Sequence, residues 1–495
     1  MTARRWWETR GYALAAILAS AIPLLWPALP PLADLPGHIG RYHIAANLAR
    51  SADLQRHWLF EWGLVGNLGV DLLVQALAPL LPAERAAKLM VLLIPPLWVS
   101  GLIALSRQAG GGRLSPAAAF AFPLAYAYPF QLGFVNFMLA GGLALHALWL
   151  WVRLEGRPGL RAGAFVPASF ALWVAHSFGW GMFGLLAFAA ELARQRRSGC
   201  GWVKAAVRAG LHCLPLAGPM LLMLGGPMGE GALWDWKSKA SWIAILLRER
   251  WKWYDVGCAF VLLALLWSAV RGRRLRFDAV TGAGALLCLA AFVALPRLML
   301  DGAYVDMRML APAVALALVA IRVVPGETRL AERLALAGTA FFALRLTTST
   351  AAMLLFAREQ QVALEAVDRL PRGAAVLVLV NEACASQWHS DRVGHLAGIA
   401  VARRDMFENG QWAIAGQQLL RDRHPEAAPY RADPSQLVYP VHCEYRPTRF
   451  AEAVRDFDRG TFGYVWTLGF PARPRLARDV ELVWNNRISA VYRVR

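Results

Sequence analysis

The sequence predicts a mainly α-helical membrane protein, a bundle of about eleven spans followed by a small C-terminal α/β domain. Of its 495 residues, 57% are hydrophobic and 21 are Trp, and the mean hydropathy is +0.39. Soluble globular chains contain only about 45–50% apolar residues. The apolar residues also recur in segments of roughly 17–25 residues, the length that crosses a bilayer as a helix.

Charge predicts the topology. The net charge of +19 comes from 52 Lys and Arg against 33 Asp and Glu. Most of the excess lies in short arginine-rich loops, as in cytoplasmic loops of membrane proteins, so it needs no nucleic-acid partner. Placing these loops beside the N-terminus predicts a cytoplasmic N-terminus and an outer C-terminus. The loops are Arg107–Arg113, Arg153–Arg161, Arg194–Arg208, Arg271–Arg276 and Arg322–Arg333.

The spans are the apolar segments between these loops. Gly11–Leu29 ends in Pro-rich sequence without a small-residue cleavage site, so we interpret it as a retained first helix. Ala162–Ala193 is too long for one helix, so we expect a helical hairpin with its tip at His176. Leu64–Leu81 contains three polar residues and either crosses the membrane or lies along its outer surface. The other predicted spans are Ala86–Ser106, Ser115–Phe130, Phe134–Trp151, Ala209–Gly225, Val256–Val270, Ala279–Leu298, Leu310–Ile321 and Leu334–Leu355.

Polar and charged residues increase after about Arg358, which indicates a soluble domain. Ala374–Val380 is a continuous apolar run that follows a Pro-Arg-Gly turn, and it predicts a buried strand. Further strands are predicted at Leu437–Val441, Gly463–Leu468 and Ile488–Arg493. The predicted topology places this α/β domain outside the cytoplasm.

The predicted division is therefore a membrane domain over residues 1–357, with a first outer loop at 30–63, and an extracytoplasmic domain over residues 358–495. Cys384 and Cys443 lie in the second domain. They form a disulfide if that domain faces an oxidising compartment, but their spacing leaves a pair of free thiols equally open.

The segment after the first span, Asp34-Leu-Pro-Gly-His-Ile-Gly-Arg41, combines a carboxylate, an imidazole and a guanidinium. Asp34 is a good N-cap and Pro36 is tolerated in a first turn, so a helix is predicted to begin here. His38 and Arg41 then share a face with Asp34. Such a face suits proton transfer by Asp34 or His38 and a two-bond grip on phosphate by Arg41. Alternatively, Asp34 merely caps an interfacial helix and Arg41 pairs with it or with lipid headgroups.

Residues of three other predicted outer regions are expected to join this site. His176 is either a ligand or acid–base group, or a histidine bonded to a neighbouring turn. Asp301, Asp306 and Arg308 share one loop and either bind substrate or form surface ion pairs. Asn136 lies near the top of a span and either lines a site or joins two helices by hydrogen bonds.

The chain resembles the GT-C superfamily of integral-membrane glycosyltransferases, which take sugars from polyprenyl-phosphate carriers. The resemblance depends on the motif Asp34–Arg41 directly after the first span, on the segment Gly133-Phe-Val-Asn-Phe137 and on the outer tail. It looks closest to poorly characterised bacterial members. It implies that Asp34 is the catalytic carboxylate, which deprotonates the acceptor hydroxyl while the lipid phosphate leaves the anomeric carbon.

The same resemblance implies that Arg41 or Arg308 steadies the departing phosphate. Family members often have a paired Asp-Glu in this loop, whereas Leu35 follows the acidic residue here. A second carboxylate would therefore come from elsewhere, with Asp301 and Asp306 as candidates. Dependence on a divalent metal, Mg²⁺ or Mn²⁺, stays open for the same reason.

The predicted function is transfer of a sugar from a polyprenyl-phosphate donor to a lipid, glycan or protein acceptor, in contact with membrane lipids. The expected location is the outer face of a bacterial inner membrane. A transporter or flippase of a lipid-linked or anionic substrate is the alternative, although we find no repeated halves. A third possibility is a non-catalytic assembly or sensor protein. The sequence contains no P-loop, dinucleotide fingerprint, HExxH motif or CxxC pair.

Overall fold

The computed structural model describes residues 4–224, 231–299, 302–383, 387–389, 392–414, 418–439, 448–470 and 474–495. The chain forms two compact units. The helical unit consists of Met1–Leu25, Val65–Gly69 and Leu92–Ala351, and the mixed unit consists of Trp26–Leu64, Val70–Val91 and Ala352–Arg495. Cys384 and Cys443 lie outside the described residues, so their predicted pairing stays a prediction.

Helices dominate the chain. The α-helices are α1 (Arg10–Ala19), α2 (Ile22–Leu25), α3 (Leu35–Asn47), α4 (Ala52–His57), α5 (Gly69–Leu77), α6 (Ala83–Ala109), α7 (Tyr128–Leu132), α8 (Val135–Arg153), α9 (Pro158–Ala175), α10 (Ser177–Arg197), α11 (Trp202–His212), α12 (Gly218–Met223), α13 (Trp236–Ala244), α14 (Lys252–Arg271), α15 (Ala279–Ala294), α16 (Met307–Ala320), α17 (Thr328–Leu364), α18 (Ala397–Arg404) and α19 (Phe450–Asp456). Short 3-10 helices cover Trp6–Glu8, Ala118–Tyr126, Leu214–Leu216, Glu365–Arg369 and Pro425–Ala427.

The strands are shorter. They are β1 (Trp58–Phe60), β2 (Ala232–Leu233), β3 (Leu275–Phe277), β4 (Leu298–Met299), β5 (Gly302–Ala303), β6 (Ile321–Val323), β7 (Ala375–Asn381), β8 (Phe407–Glu408), β9 (Leu420–Asp422), β10 (Leu437–Val438), β11 (Tyr464–Leu468), β12 (Val480–Asn485) and β13 (Ser489–Val494).

Four helices in the described part of the chain are long and apolar enough to cross a membrane, as an integral membrane protein requires. They are Ala83–Ala109, Val135–Arg153, Lys252–Arg271 and Thr328–Arg369. Shorter apolar helices cover Arg10–Leu25, Ala279–Ala294 and Met307–Ala320. The predicted count of about eleven crossings and the predicted orientation stay predictions.

Two predicted spans differ from the structure because of proline. The segment Ser115–Phe130 contains a 3-10 helix, Ala118–Tyr126, instead of a long α-helix. Pro123 lies within it and supplies no backbone N–H for an α-helical bond. The predicted span Ala209–Gly225 is likewise divided between α11 and α12. Pro215 lies between the two helices, and Pro219 lies in the first turn of α12.

The predicted helical hairpin is confirmed. Helices α9 and α10 meet at His176, which ends the first and caps the second. Around their buried faces, Phe165 stacks on Phe183 with ring centroids 5.4 Å apart. The buried Arg161 and Glu191 pair at 2.7 Å beside these rings, which stabilises the contact between the two helices.

The mixed unit is built on a six-stranded sheet with the order β10-β7-β11-β13-β12, and β8 also pairs with β7. The neighbours of β7 run parallel to it, whereas β13 runs antiparallel to β11 and to β12. Strand β7 is buried along most of its length, as its apolar run predicts. A separate pairing of β1 with β9 joins the segment 30–63 to the C-terminal part of this unit.

Helix α3 packs closely against α18 in the mixed unit, and glycines allow this approach. A Cβ atom at Gly398 would lie 2.2 Å from the backbone oxygen of Pro36. A Cβ atom at Gly40 would lie 2.9 Å from the oxygen of Gly398. Backbone meets backbone here, so the position of α3, which carries the predicted site motif, is fixed by the C-terminal segment.

Candidate active site

Asp34 stands at the start of α3, as predicted, but its side chain does not cap the helix. The first turn contains Pro36, and no backbone N–H of α3 donates to the Asp34 carboxylate. The carboxylate is 23% exposed and faces His395, whose Nε2 lies 3.8 Å from Asp34 Oδ1. The geometry therefore favours a chemical role for this carboxylate over a capping role.

His395 lies between two carboxylates. Its Nε2 is 3.8 Å from Asp34 Oδ1 and 3.7 Å from Asp433 Oδ1. Its Nδ1 lies 3.3 Å from the oxygen of Gly410, and a carbonyl can only accept, so Nδ1 carries a proton. Nε2 is thus the nitrogen left to exchange a proton with Asp34 or Asp433.

Aromatic rings pack against His395 and His38. Trp412 lies 4.3 Å from the ring of His395 and 5.0 Å from the ring of His38, measured between centroids. His38 also stacks on Tyr42 at 6.2 Å. A Cβ atom at Gly37 would lie 2.6 Å from the Trp412 ring, so glycine is needed for this approach. We call Asp34, His38, His395, Trp412 and Asp433 the Asp34 cluster.

Glu408 supports the cluster from behind. Its carboxylate accepts hydrogen bonds from the backbone N–H of Gly410 and from the side chain of Gln411. Because Gly410 also accepts from His395, Glu408 fixes the carbonyl that orients the imidazole. Burial raises the pKa of Glu408 to about 7, against the lowering effect of these hydrogen bonds and of His395.

We expect this buried carboxyl to make stability depend on pH. Its folded-state pKa of about 7 exceeds the ordinary value of 4.5, so its contribution is full at low pH and is lost as pH rises towards neutrality. Relative to Glu408→Gln, the wild type should lose up to about 3 kcal/mol between about pH 5 and about pH 8. Unfolding midpoints across this range, with the exposed Glu481→Gln as control, measure the difference. Parallel pH profiles for the wild type and Glu408→Gln would contradict this account.

None of the described hydrogen bonds and ion pairs of Arg41 is with a residue of the Asp34 cluster. Its Nε and Nη2 lie 2.9 and 2.8 Å from Asp71 Oδ1, and its Nη1 donates to Gln418 at 2.7 Å. The guanidinium is buried and ties α3 to α5. A phosphate at Arg41, which stays a prediction, would have to replace one of these bonds.

In the helical unit, Arg308 and His176 form a second candidate group. Arg308 Nη1 lies 2.9 Å from His176 Nε2. A guanidinium can only donate, and the backbone N–H of Phe178 faces His176 Nδ1 at 3.1 Å. A neutral imidazole has one acceptor nitrogen, so His176 accepts from only one of these two donors at a time. Three phenyl rings, those of Phe134, Phe137 and Phe178, lie 4.6, 5.5 and 5.2 Å from the guanidinium carbon. We call these five residues the Arg308 cluster.

The loop before this arginine is strained. Tyr304 has a φ of 56°, a left-handed conformation that is rare for a residue with a side chain. Its ring packs near Trp242 at 5.6 Å and Phe134 at 6.3 Å. Strained backbone of this kind persists where packing enforces it and is concentrated at functional sites, which agrees with a role for the Arg308 cluster.

The remaining predicted residues of the helical unit have structural partners. Asn136 donates to the backbone oxygen of Asn67 at 2.7 Å. Asp306 is fully buried, pairs with Lys239 at 3.0 Å and caps α16, so it is not part of a solvated surface loop. Asp301 lies outside the described residues. The roles of all three in substrate binding stay predictions.

Sequence reasoning missed His395, Trp412 and Asp433, which the structure brings to Asp34. They lie in irregular segments far along the chain, without motif spacing relative to Asp34. The turn-forming run Glu408-Asn-Gly-Gln-Trp412 was the signal available, because such runs often carry functional side chains. The expectation that His176, Arg308 and Asp34 serve one site stays a prediction.

A divalent metal has no obvious place among these residues. In the described part of the chain, no three His, Cys, Asp and Glu side chains are grouped to hold a metal ion. At the Asp34 cluster, His395 lies between the two carboxylates, whereas Mg²⁺ prefers several oxygen ligands around it. Dependence on Mg²⁺ or Mn²⁺, which the sequence leaves open, enters none of the steps below.

The architecture is that of a multi-helix chain with apolar helices of membrane-spanning length and a C-terminal α/β part. The chain is similar to ArnT from Cupriavidus metallidurans bound to undecaprenyl phosphate, with 13% identity, a TM-score of 0.48 and coverage of 97% of this chain and 96% of that one. It is also similar to ArnT from the same organism in the apo state, with 14% identity, a TM-score of 0.46 and the same coverage. No protein-family profile and no curated protein matches the chain.

Proposed function

We propose that the protein is a membrane glycosyltransferase that moves a sugar from a polyprenyl-phosphate carrier to a hydroxyl acceptor. The proposal depends on the Asp34 carboxylate, which makes no capping hydrogen bond to α3, is partly exposed and lies beside His395. A base of this kind suits removal of a proton from an acceptor hydroxyl. The motif resemblance to GT-C enzymes names the same residue as the catalytic carboxylate.

The reaction proceeds as a single displacement. The acceptor oxygen forms a bond to the anomeric carbon, the bond from that carbon to the phosphate oxygen breaks, and the acceptor proton passes to Asp34. The polyprenyl phosphate leaves with the electron pair of the broken bond. His395 orients the Asp34 carboxylate and favours its ionised form. The Asp433 carboxylate interacts with the same imidazole from the other side. One displacement inverts the configuration at the anomeric carbon.

Arg308 is the proposed phosphate ligand. It is always charged, presents a planar set of donors and is 9% exposed. Its described contacts include His176 Nε2 and the backbone oxygen of Ala303. A phosphate could accept two parallel hydrogen bonds from this guanidinium. Arg41, which already has the carboxylate of Asp71, is the weaker candidate.

The activity is tested by transfer of radiolabelled sugar from a panel of polyprenyl-phosphate sugars, with the full chain reconstituted in lipid vesicles. Undecaprenyl phosphate, the lipid bound in one of the similar ArnT structures, is the first carrier to use. We expect labelled acceptor and free lipid phosphate in equal amounts. Movement of the intact donor across the membrane without cleavage would instead support the flippase alternative.

His395→Gln should separate positioning from binding. Glutamine preserves a hydrogen bond to the Gly410 oxygen but cannot take a second proton. We expect kcat to fall by about 10- to 100-fold with little change in KM for the donor. Steady-state transfer rates against donor concentration give both values. A rise in KM at constant kcat would assign His395 to substrate binding and contradict the positioning role.

A further inference from the structure

The mixed unit contains a polar cavity. This cavity of about 500 Å³ is lined by Arg56, His57, His424, Glu426, Asp458 and Tyr464, together with five glycine and alanine positions and Thr461. None of these residues belongs to the Asp34 cluster. Its volume lies within the roughly 300–1,000 Å³ typical of small-ligand sites.

A chain of hydrogen bonds fixes the protonation of one wall. His57 Nε2 lies 2.9 Å from the oxygen of Gly373, which can only accept, so this nitrogen carries the proton. His57 Nδ1 and His424 Nε2 lie 2.8 Å apart and share a second proton. His424 Nδ1 lies 2.9 Å from Glu426 Oε1, which accepts a third. Three protons on four ring nitrogens give the two histidines one positive charge between them, beside Glu426.

The loop that carries Asp458 is also held by hydrogen bonds. Asp458 accepts the backbone N–H of Thr461 at 2.8 Å and of Gly460 at 3.4 Å, which fixes the loop before β11. Thr461 Oγ1 in turn lies 3.4 Å from Glu426 Oε1. The polar groups are thus held in position before any ligand arrives, and such preorganisation favours binding.

Charge selects the class of ligand. Arg56, which also pairs with Asp53 at 3.2 Å, and the two histidines together supply two positive charges, and Glu426 and Asp458 supply two negative ones. A strongly anionic or cationic ligand would meet like charge on one side. A neutral polyol can donate to the carboxylates and accept from the cations at once, and Tyr464 offers an aromatic surface to its C–H groups.

We propose that this cavity is a binding site for a neutral saccharide of one or two sugar rings. The site is independent of the proposed transfer reaction, because it shares no residue with the Asp34 cluster. It takes a soluble sugar or the sugar end of a longer chain, and the chemistry that recognises either is the same.

Saturation-transfer NMR on the full chain in lipid nanodiscs tests this site. The probes are methyl α-glucoside, methyl α-mannoside, maltose and cellobiose, with inorganic phosphate and free arginine representing charged ligands. Gly463→Val should block binding, because the new side chain would occupy the cavity that Gly463 lines. The variant should still fold, because a Cβ at this position would meet no atom within 4 Å and the backbone of Gly463 is not left-handed. Gly63→Val, whose Cβ would make an ordinary 3.6 Å contact with Leu419, is the matched control.

We expect at least one saccharide to bind saturably to the wild type, to Gly63→Val and to Asp34→Asn, and to bind at least about tenfold more weakly to Gly463→Val. Retained binding in a transfer-deficient Asp34→Asn separates this site from the reaction. The proposal is overturned if no saccharide saturates, if phosphate or arginine binds more tightly than the sugars, or if Gly463→Val leaves binding unchanged. Loss of binding in Asp34→Asn would place the sugar at the Asp34 cluster instead.

Discussion

Asp34→Asn is expected to lower kcat for sugar transfer by at least about 100-fold, because the amide cannot accept the acceptor proton. The substitution preserves the size of the side chain, and no backbone N–H of α3 depends on the carboxylate. The fold should therefore survive. Transfer rates with saturating donor, together with the unfolding midpoint of each variant, separate a chemical loss from a structural one.

Two carboxylate variants give this experiment its controls. Asp456→Asn changes the same group at an exposed ion pair with Arg455 and should leave transfer intact. Asp433→Asn, on the other side of His395, should lower kcat by about tenfold, since it alters the imidazole rather than the base. If transfer by Asp34→Asn equals that of Asp456→Asn, Asp34 is not the base.

Asp34 and His38 of the Asp34 cluster could be predicted from sequence because they are neighbours in sequence. The spacing of Asp34, Pro36 and His38 predicts a helix start with polar side chains, and α3 begins where expected. The other members of the cluster could not be predicted. His395 lies two residues before α18, which packs on α3 through Gly398, and Asp433 comes from a turn further along the chain, and a single sequence holds no record of such contacts.

Arg41 shows the limit of reasoning from charge alone. The same spacing that placed it near Asp34 also suited a phosphate ligand, but its partner is Asp71, 30 residues away. The buried charge of Arg41 is balanced by a carboxylate, and the sequence does not say which one. The helices show a similar limit of prediction from sequence. Long apolar helices such as α8 and α14 were predicted, whereas the break around Pro215 in Ala209–Gly225 depends on local backbone chemistry.

A second large effect is expected in the helical unit, where Arg345 lies between two buried carboxylates. Its Nη1 is 2.8 Å from Asp255 Oδ1 and its Nη2 is 3.3 Å from Glu249 Oε2, and all three side chains are at most 2% exposed. Ser349 and Gln131 also donate to Glu249, at 2.8 and 3.1 Å. This network connects α17 with the start of α14, so its loss should be felt by the whole unit.

Arg345→Met should therefore lower the free energy of unfolding by about 3–5 kcal/mol, because it removes a buried positive charge from beside two buried carboxylates. Denaturation in mixed micelles measures the change. Arg403→Met, which breaks a partly exposed pair with Glu84, should cost less than about 1 kcal/mol. Adding Glu249→Gln and Asp255→Asn to Arg345→Met should recover much of the loss, since neutral amides need no counter-charge. If the triple variant is no more stable than Arg345→Met, packing of the long side chain, rather than charge, dominates at this position.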